Sequence, residues 1–216
     1  MLVQNIFMLY LISIGMTFGA SVPWDLNGFP YVPTEIEKWT DIRNKVIDAQ
    51  GINKSILDVG CGVGFSTSSS PECVGIDSDH RMLRRAEKLF PEKHFEYGDI
   101  IFWKPSKSFD IVTAMFCLHQ HPRHIRQKIL DRIKQYGKER IVVVDFSPSF
   151  VPNQEMCNRY PYLQDYLENC RDDMCDFKEH VIVKGKVHIW TLETGSSSYT
   201  NNDIDESMKQ ILRINI

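Results

Sequence analysis

Apolar and polar positions along the chain follow two rhythms. Over residues 35–49, Ile36, Trp39, Ile42, Val46 and Ile47 recur at three- and four-residue steps, which lays one apolar stripe on a helix. Thr34 is placed to cap that helix, with Glu37 in the third position after it, and Gly51 to close it. Residues 55–59 (SILDV) are then a short apolar run stopped by a glycine cluster, the pattern of a buried parallel strand entering a turn.

The alternation continues. Residues 73–76 read as a strand ending at Asp77, 79–90 as a basic amphipathic helix stopped by Pro91, and 94–97 as a strand stopped by Gly98 and Asp99. A fourth strand follows at 109–115, then a helix over 123–136 with Ile125, Ile129, Leu130 and Ile133 facing inward, and a fifth strand at 140–144 ending at Asp145. Strands alternating with helices imply parallel crossovers and a sheet covered on both faces. The end of the chain changes rhythm: residues 177–183 and 186–193 alternate with period two around Lys184 and Gly185, a hairpin signature. Residues 147–175 read as a loop followed by one helix around 162–170, and 195–216 as a flexible linker and a short terminal helix. The fold class is therefore α/β, a Rossmann-like, doubly wound sheet of seven strands, mostly parallel with a C-terminal antiparallel hairpin.

Composition narrows the picture further. The chain has 216 residues, 43% hydrophobic and 25% charged, with a net charge of −3. That suits one globular domain with appendages, and no basic stripe argues for a nucleic-acid partner. Six cysteines are irregularly spaced with no C-x-x-C pair, so they read as scattered thiols, although the even count permits bridges in a secreted chain. Residues 1–24 carry one charge-free, largely apolar segment before Asp25. It is compatible with a signal or membrane anchor, a surface helix, or an apolar segment packed on the domain, and its apolar core is shorter than the ~20 residues that span a bilayer.

Chemistry concentrates at the strand ends. Asp58, Gly60, Gly62 and Gly64 form a strand-to-helix turn, where glycines let a ligand approach the backbone and a following helix N-terminus offers free N–H groups. Asp77 ends the second strand, where a carboxylate can accept both hydroxyls of a ribose. Asp99 ends the third, where it can accept an adenine amino hydrogen or simply cap the strand. The spacing is G-x-G-x-G, not the G-x-G-x-x-G of dinucleotide oxidoreductases, and a hairpin stands where their second nucleotide half would begin.

These stretches, ILDVGCGVG (56–64), VGIDSDHRML (74–83), FEYGDI (95–100) and FDIVTAMFCLHQHP (109–122), resemble the class I S-adenosylmethionine-dependent methyltransferases, in particular their small-molecule (type 11/25-like) branch. The resemblance covers residues 35–193. It implies S-adenosylmethionine as cofactor and methyl transfer to a small, conceivably lipid-soluble acceptor at O, N or C, with a non-enzymatic methyltransferase-like module as the alternative. Asp58, Gly60, Cys61, Gly62 and Gly64 look like the turn around the methionine moiety, with Asp58 reaching a bound ammonium directly or through water. Asp77, followed by Ser78, looks like the ribose carboxylate; Asp99 and the Ile100 backbone look like the adenine contacts, with Met82 on the ring. Thr113, Ala114 and Met115 would line the floor beneath the sulfonium. His119 matches the first histidine of the family's L-H-H-x-P-like segment and is the candidate general base, with structural hydrogen bonding as its rival.

Only eight residues separate Gly64 from Cys73, and they include the polar run 66–70. The first crossover helix is therefore expected about a turn short, with a looser hold on the cofactor's carboxylate end. His119, His121 and His124 lack a carboxylate neighbour in sequence, so no metal is expected. Asp145 reads as a cap for the turn at Ser147 and Pro148, or as a substrate contact at its strand end. Tyr160, Tyr162 and Tyr166 read as a substrate lid or as packing for a long loop. A methyltransferase needs its donor, so the expected location is a cytoplasmic or organellar compartment that holds the cofactor. Membrane association through residues 1–24 and a secretory signal are both left open.

Overall fold

The computed structural model describes residues 36–50 and 53–195, with the side chains of 36–41 left aside. The calls on residues 1–24 and 196–216, and the capping roles of Thr34 and Gly51, lie outside the described residues. Seven strands form one sheet: β1 (Ile56–Val59), β2 (Val74–Asp77), β3 (Phe95–Tyr97), β4 (Phe109–Met115), β5 (Gly137–Phe146), β6 (Lys178–Val183) and β7 (Val187–Glu193). Their order is β3-β2-β1-β4-β5-β7-β6. Strands β1 to β5 pair in parallel, and β7 runs antiparallel to both β5 and β6. The chain leaves β1 toward one edge and returns at β4 to build the other, so the switch point lies at the carboxyl ends of β1 and β4.

Around the sheet lie α1 (Ile36–Asp48), α2 (His80–Leu89), α3 (Arg123–Tyr136), α4 (Gln154–Arg159) and α5 (Leu163–Asp173), with a 3-10 turn at Leu118–Gln120. The core divides into two clusters, as a doubly wound sheet requires. Leu57, Val59, Val112, Ala114, Ile141 and Val143 point to the face covered by α3 and α5, against Ile129, Ile133, Tyr166 and Leu167. Ile56, Ile111, Met115, Val142 and Val144 point to the other, against Ile42 and Val46 of α1. The period of two along each strand produces that division directly.

Two expectations need correction. No helix links β1 to β2: residues 61–73 are turns and bends, because a run of hydroxyl side chains favours local side-chain bonds over a helical ladder. The long segment after β5 also contains two helices instead of one. Its added member, α4, starts where the Asn153 side chain accepts the Met156 N–H at 2.9 Å, and none of its residues is buried. It is capped locally and packs the partly buried Met156 against the core. The hairpin matches its signature, with Gly185 at φ +69° and the turn closed by Lys186 N–H to Val183 O at 2.9 Å.

Helix α2 owes its start to Asp79, whose carboxylate accepts the Arg81 N–H at 2.8 Å and pairs with the Arg81 guanidinium. That arrangement, chiefly the side-chain bond with Arg81, lowers the Asp79 carboxyl to about 2. Asp79→Ala is expected to cost about 1 kcal/mol. A lowered carboxyl contributes stability above its unfolded value of about 3.9 and loses it as the pH falls toward 2. The gap between wild type and variant in chemical denaturation should therefore close in that acidic window.

Candidate active site

The carboxyl ends of β1, β2 and β4 carry a compact polar constellation. After β1 the backbone turns through Gly60, Gly62 and Gly64 at φ +68°, +56° and +86°, a region costly for residues with a Cβ. The three glycines answer different demands. A Cβ on Gly60 would stand 2.8 Å from Cys117 Cβ, and one on Gly64 2.5 Å from the Phe95 ring, so both serve close packing. A Cβ on Gly62 would meet nothing within 4 Å. The backbone there faces open space.

Asp77 joins this loop to β2. One carboxylate oxygen accepts the Gly62 N–H at 2.8 Å, and the other accepts the Asp79 N–H at 2.8 Å. Burial pushes the Asp77 carboxyl up, against these N–H donors, which pull it down. The side chain stays only half-buried, with lone pairs to spare for a ligand. Ser78 beside it is exposed and Met82, on α2, is half-buried. Beyond β3, Asp99 is exposed; one oxygen accepts the Ile101 N–H at 2.9 Å, and the other bonds no described residue. The neighbouring Ile100 side chain is buried.

Asp58 has a structural part within the loop. It is 1% exposed, and its oxygens accept the hydroxyls of Ser66 at 2.8 Å, Thr67 at 2.7 Å and Thr113 at 3.1 Å. Burial pushes its carboxyl up, and the three hydroxyls draw it back. It therefore fastens the serine-rich crossover to the sheet. The loop has no helix terminus to offer an anion; it is held by Asp58 and by Lys93 Nζ, which donates to Gly64 O at 2.9 Å. Thr113 and Met115 are likewise committed inward, to Asp58 and to the α1-side cluster, and burial pushes the Cys61 thiol up and out of reactive range. Strand β4 thus meets the site through its backbone end.

That end is strained: Phe116 is a buried non-glycine residue at φ +55°, a conformation found where surrounding structure over-determines it. The Arg43 guanidinium lies 4.7 Å from its ring centre. The 3-10 turn follows and delivers His119, 2% exposed. Its Nδ1 lies 2.7 Å from Asp145 Oδ1, and its backbone N–H donates to Asp145 Oδ2 at 3.2 Å. The reading of Asp145 as a cap for Ser147 is corrected: among the described residues, besides His119 it accepts only the adjacent Phe146 N–H. Its role was visible in principle, since β4 and β5 are sequential neighbours, with His119 just past the end of one and Asp145 near the end of the other. Ser147, by contrast, bonds His188 Nε2 at 3.0 Å and ties the end of β5 to the hairpin. His121 is half-buried and His124 exposed on α3.

A seven-stranded sheet with this order, a glycine loop after β1 and an acidic residue ending β2 defines the class I methyltransferase architecture, whose cofactor is S-adenosylmethionine. The residues present fit that group: open space over Gly62, and beside it a carboxylate with free lone pairs. Residues 56–139 match the family profile of the methyltransferase domain.

Among curated relatives, trans-aconitate 2-methyltransferase of Sinorhizobium fredii is 37% identical over 110 residues, 48% of this chain and 42% of that protein. The corresponding protein of Agrobacterium fabrum is 31% identical over 88 residues, 37% of this chain and 34% of its own length. The matches thus span less than half of these relatives. Among solved structures, magnesium protoporphyrin IX methyltransferase from Synechocystis PCC 6803 with bound S-adenosylhomocysteine superposes with a TM-score of 0.56 at 15% identity, over 88% of this chain and 99% of that one. N-methyltransferase NodS from Bradyrhizobium japonicum WM9, with the same product bound, gives 0.56 at 16% identity, over 81% and 93%. These likenesses establish the fold.

Proposed function

We propose that the protein is an S-adenosylmethionine-dependent methyltransferase acting on a small-molecule acceptor. The observation that carries this reading is Gly62, left-handed in backbone and facing open space, beside an Asp77 carboxylate that already braces its N–H. Asp77 would take the ribose hydroxyls, Asp99 and the Ile100 backbone the adenine edge, Ser78 and Met82 its surroundings, and the 60–64 loop the methionine part. The cofactor brings a methyl group already activated on sulfur. The chain's own work is then to bind, to align and to exclude water, and His119 would be the side chain that meets the acceptor.

The relatives and neighbours carry different acceptors in their names, including trans-aconitate and a magnesium porphyrin. That supports a small acceptor without selecting one. The aromatic rings of Phe146, Tyr160 and Tyr166 around His119 favour one with apolar surface. A lipid-soluble acceptor met at a membrane through residues 1–24 is a further reading, which unchanged membrane partition after their deletion would remove.

The test is calorimetric titration of the full chain with S-adenosylmethionine and S-adenosylhomocysteine, followed by transfer of labelled methyl to candidate acceptors. A Kd of about 10 μM or below, roughly −7 kcal/mol, is expected. Gly62→Ala should cost the apo fold only about 1–2 kcal/mol for its backbone conformation, yet weaken both ligands at least ~10-fold because the new methyl fills the approach. A folded wild type that binds neither ligand would overturn the proposal.

A further inference from the structure

The crossover between β1 and β2 leaves a carbonyl that a helix would have satisfied, and its donor comes from another part of the chain. On the methyltransferase reading above, we propose that Lys93 is a positioning residue for the cofactor. Its ammonium replaces the missing first turn of a crossover helix and sets the 60–64 loop to receive the methionine part. In a helix begun at the third glycine, Gly64 O would accept the N–H four residues further on. Residues 61–73 form turns and bends instead, and among the described residues no backbone N–H reaches that oxygen. Lys93 Nζ donates to it at 2.9 Å, a charge-assisted bond and so a stronger one than the helical bond it replaces.

The segment that carries Lys93 is built to place it. Pro91 stops α2, the Phe90 N–H closes the last helical turn on Ala86 O at 2.8 Å, and the Lys93 N–H returns to Phe90 O at 3.0 Å. Residues 90–93 thus form one tight turn. The ammonium lies 3.9 Å from the centre of the Phe90 ring, and that ring meets Phe65, the neighbour of Gly64, edge-on at 5.5 Å. The cation is therefore seated between an aromatic face and the loop carbonyl. It is half-buried: burial pushes the ammonium down, and the carboxylates of Glu92 and Asp58 hold it up. A lysine left in water would bear no such cost. On either side of Gly64 the loop is pinned by an acid. Asp77 accepts the Gly62 N–H, and Asp58 accepts the hydroxyls of Ser66 and Thr67. Between these pins Gly64 sits at φ +86°, and a glycine has other conformations open to it unless its carbonyl is held. Lys93 is the third pin. Without it the loop samples other arrangements, and affinity falls with the fraction that remains competent.

The test reads the loop and the ligand separately. In spectra of the 13C,15N-labelled full chain, the Gly64 carbonyl resonance should move in Lys93→Met, while amides remote from the loop and the Tm stay close to wild type. By calorimetry the Kd for S-adenosylhomocysteine should rise about 10-fold in Lys93→Met, the effect of a competent fraction of about one in ten. Lys93→Arg keeps a cationic donor and should stay within about threefold of wild type. Adenosine lacks the methionine part. Followed by chemical-shift titration, it should bind wild type and both variants within about twofold, because a ligand indifferent to the loop feels no shift in its population. A lysine that only stabilised the fold would weaken both ligands together or neither. Lys93→Gln, polar but uncharged, gives the same comparison if Lys93→Met does not fold. A Gly64 carbonyl that does not move would overturn the proposal. So would unchanged affinity for S-adenosylhomocysteine in Lys93→Met, an arginine variant no better than the methionine one, or an equal loss for adenosine. Absence of binding of either ligand to the wild type sinks the methyltransferase reading instead, and the Gly64 carbonyl still reports on the brace.

Discussion

Asp77→Ala is expected to raise the Kd for S-adenosylmethionine by about 100-fold or more, because two charge-assisted hydrogen bonds of roughly 1.5–3 kcal/mol each vanish together. The loss is compounded locally. The same carboxylate braces the Gly62 and Asp79 N–H groups, so its removal frees the loop at the point where the ligand must lie. Asp77→Asn, which keeps one acceptor and the side-chain volume, should lose closer to 10-fold. Burial also pushes the Asp77 carboxyl up. On acidification, affinity should therefore begin to fall above the ordinary aspartate value of about 3.9, since the protonated carboxyl accepts less well. Titrations between about pH 4 and 8 would read both effects. A wild-type Kd that stays flat to pH 4 would argue that the ribose is bound by something other than Asp77.

The sheet was legible because its strands announce themselves locally: short apolar or alternating runs, which in β1, β2 and β3 stop at a glycine or an aspartate. The same is true of Asp77 and the three loop glycines, whose placement follows from strand ends alone. What stayed hidden depends on pairing across the sheet. Asp58 occupies the position of a ligand contact, but only the register Asp58↔Thr113 between β1 and β4, with the crossover folding back over it, commits it to hydroxyls. Asp145 meets His119 across 26 residues because β4 and β5 end side by side. Helix α4 is six residues long with no fully buried residue, too short for an apolar period to detect. The serine-rich crossover shows the opposite case: its poor helix propensity was plain, and the structure takes it to the limit with no helix at all.

The largest stability effect should come from Arg126, a charged residue on the inward face of α3 that apolar periodicity passes over. It is 1% exposed and donates to Asp173 at 2.9 and 3.0 Å, to Asp165 at 2.7 Å and to the His121 carbonyl at 2.9 Å. Asp165 and Asp173 stand eight residues apart, about two turns, on one face of α5, so this ion cluster clamps α3 to α5. Arg126→Ala leaves the buried Asp173 with Arg123 as its remaining cation and should cost about 3–5 kcal/mol, a fall in Tm of roughly 10 °C for a domain of this size. Joint replacement, Arg126→Met with Asp173→Leu, removes both buried charges and should recover most of that loss, because desolvation offsets much of what the pair contributes. Equal Tm values for the single and double variants would show instead that the guanidinium's geometry is what holds the helices. The clamp reaches the site as well: Tyr166 of α5 packs 5.6 Å from the Arg126 guanidinium and edge-on to His119. A single variant that still folds should therefore bind cofactor normally and show a disturbed His119 ring spectrum, which the double variant restores.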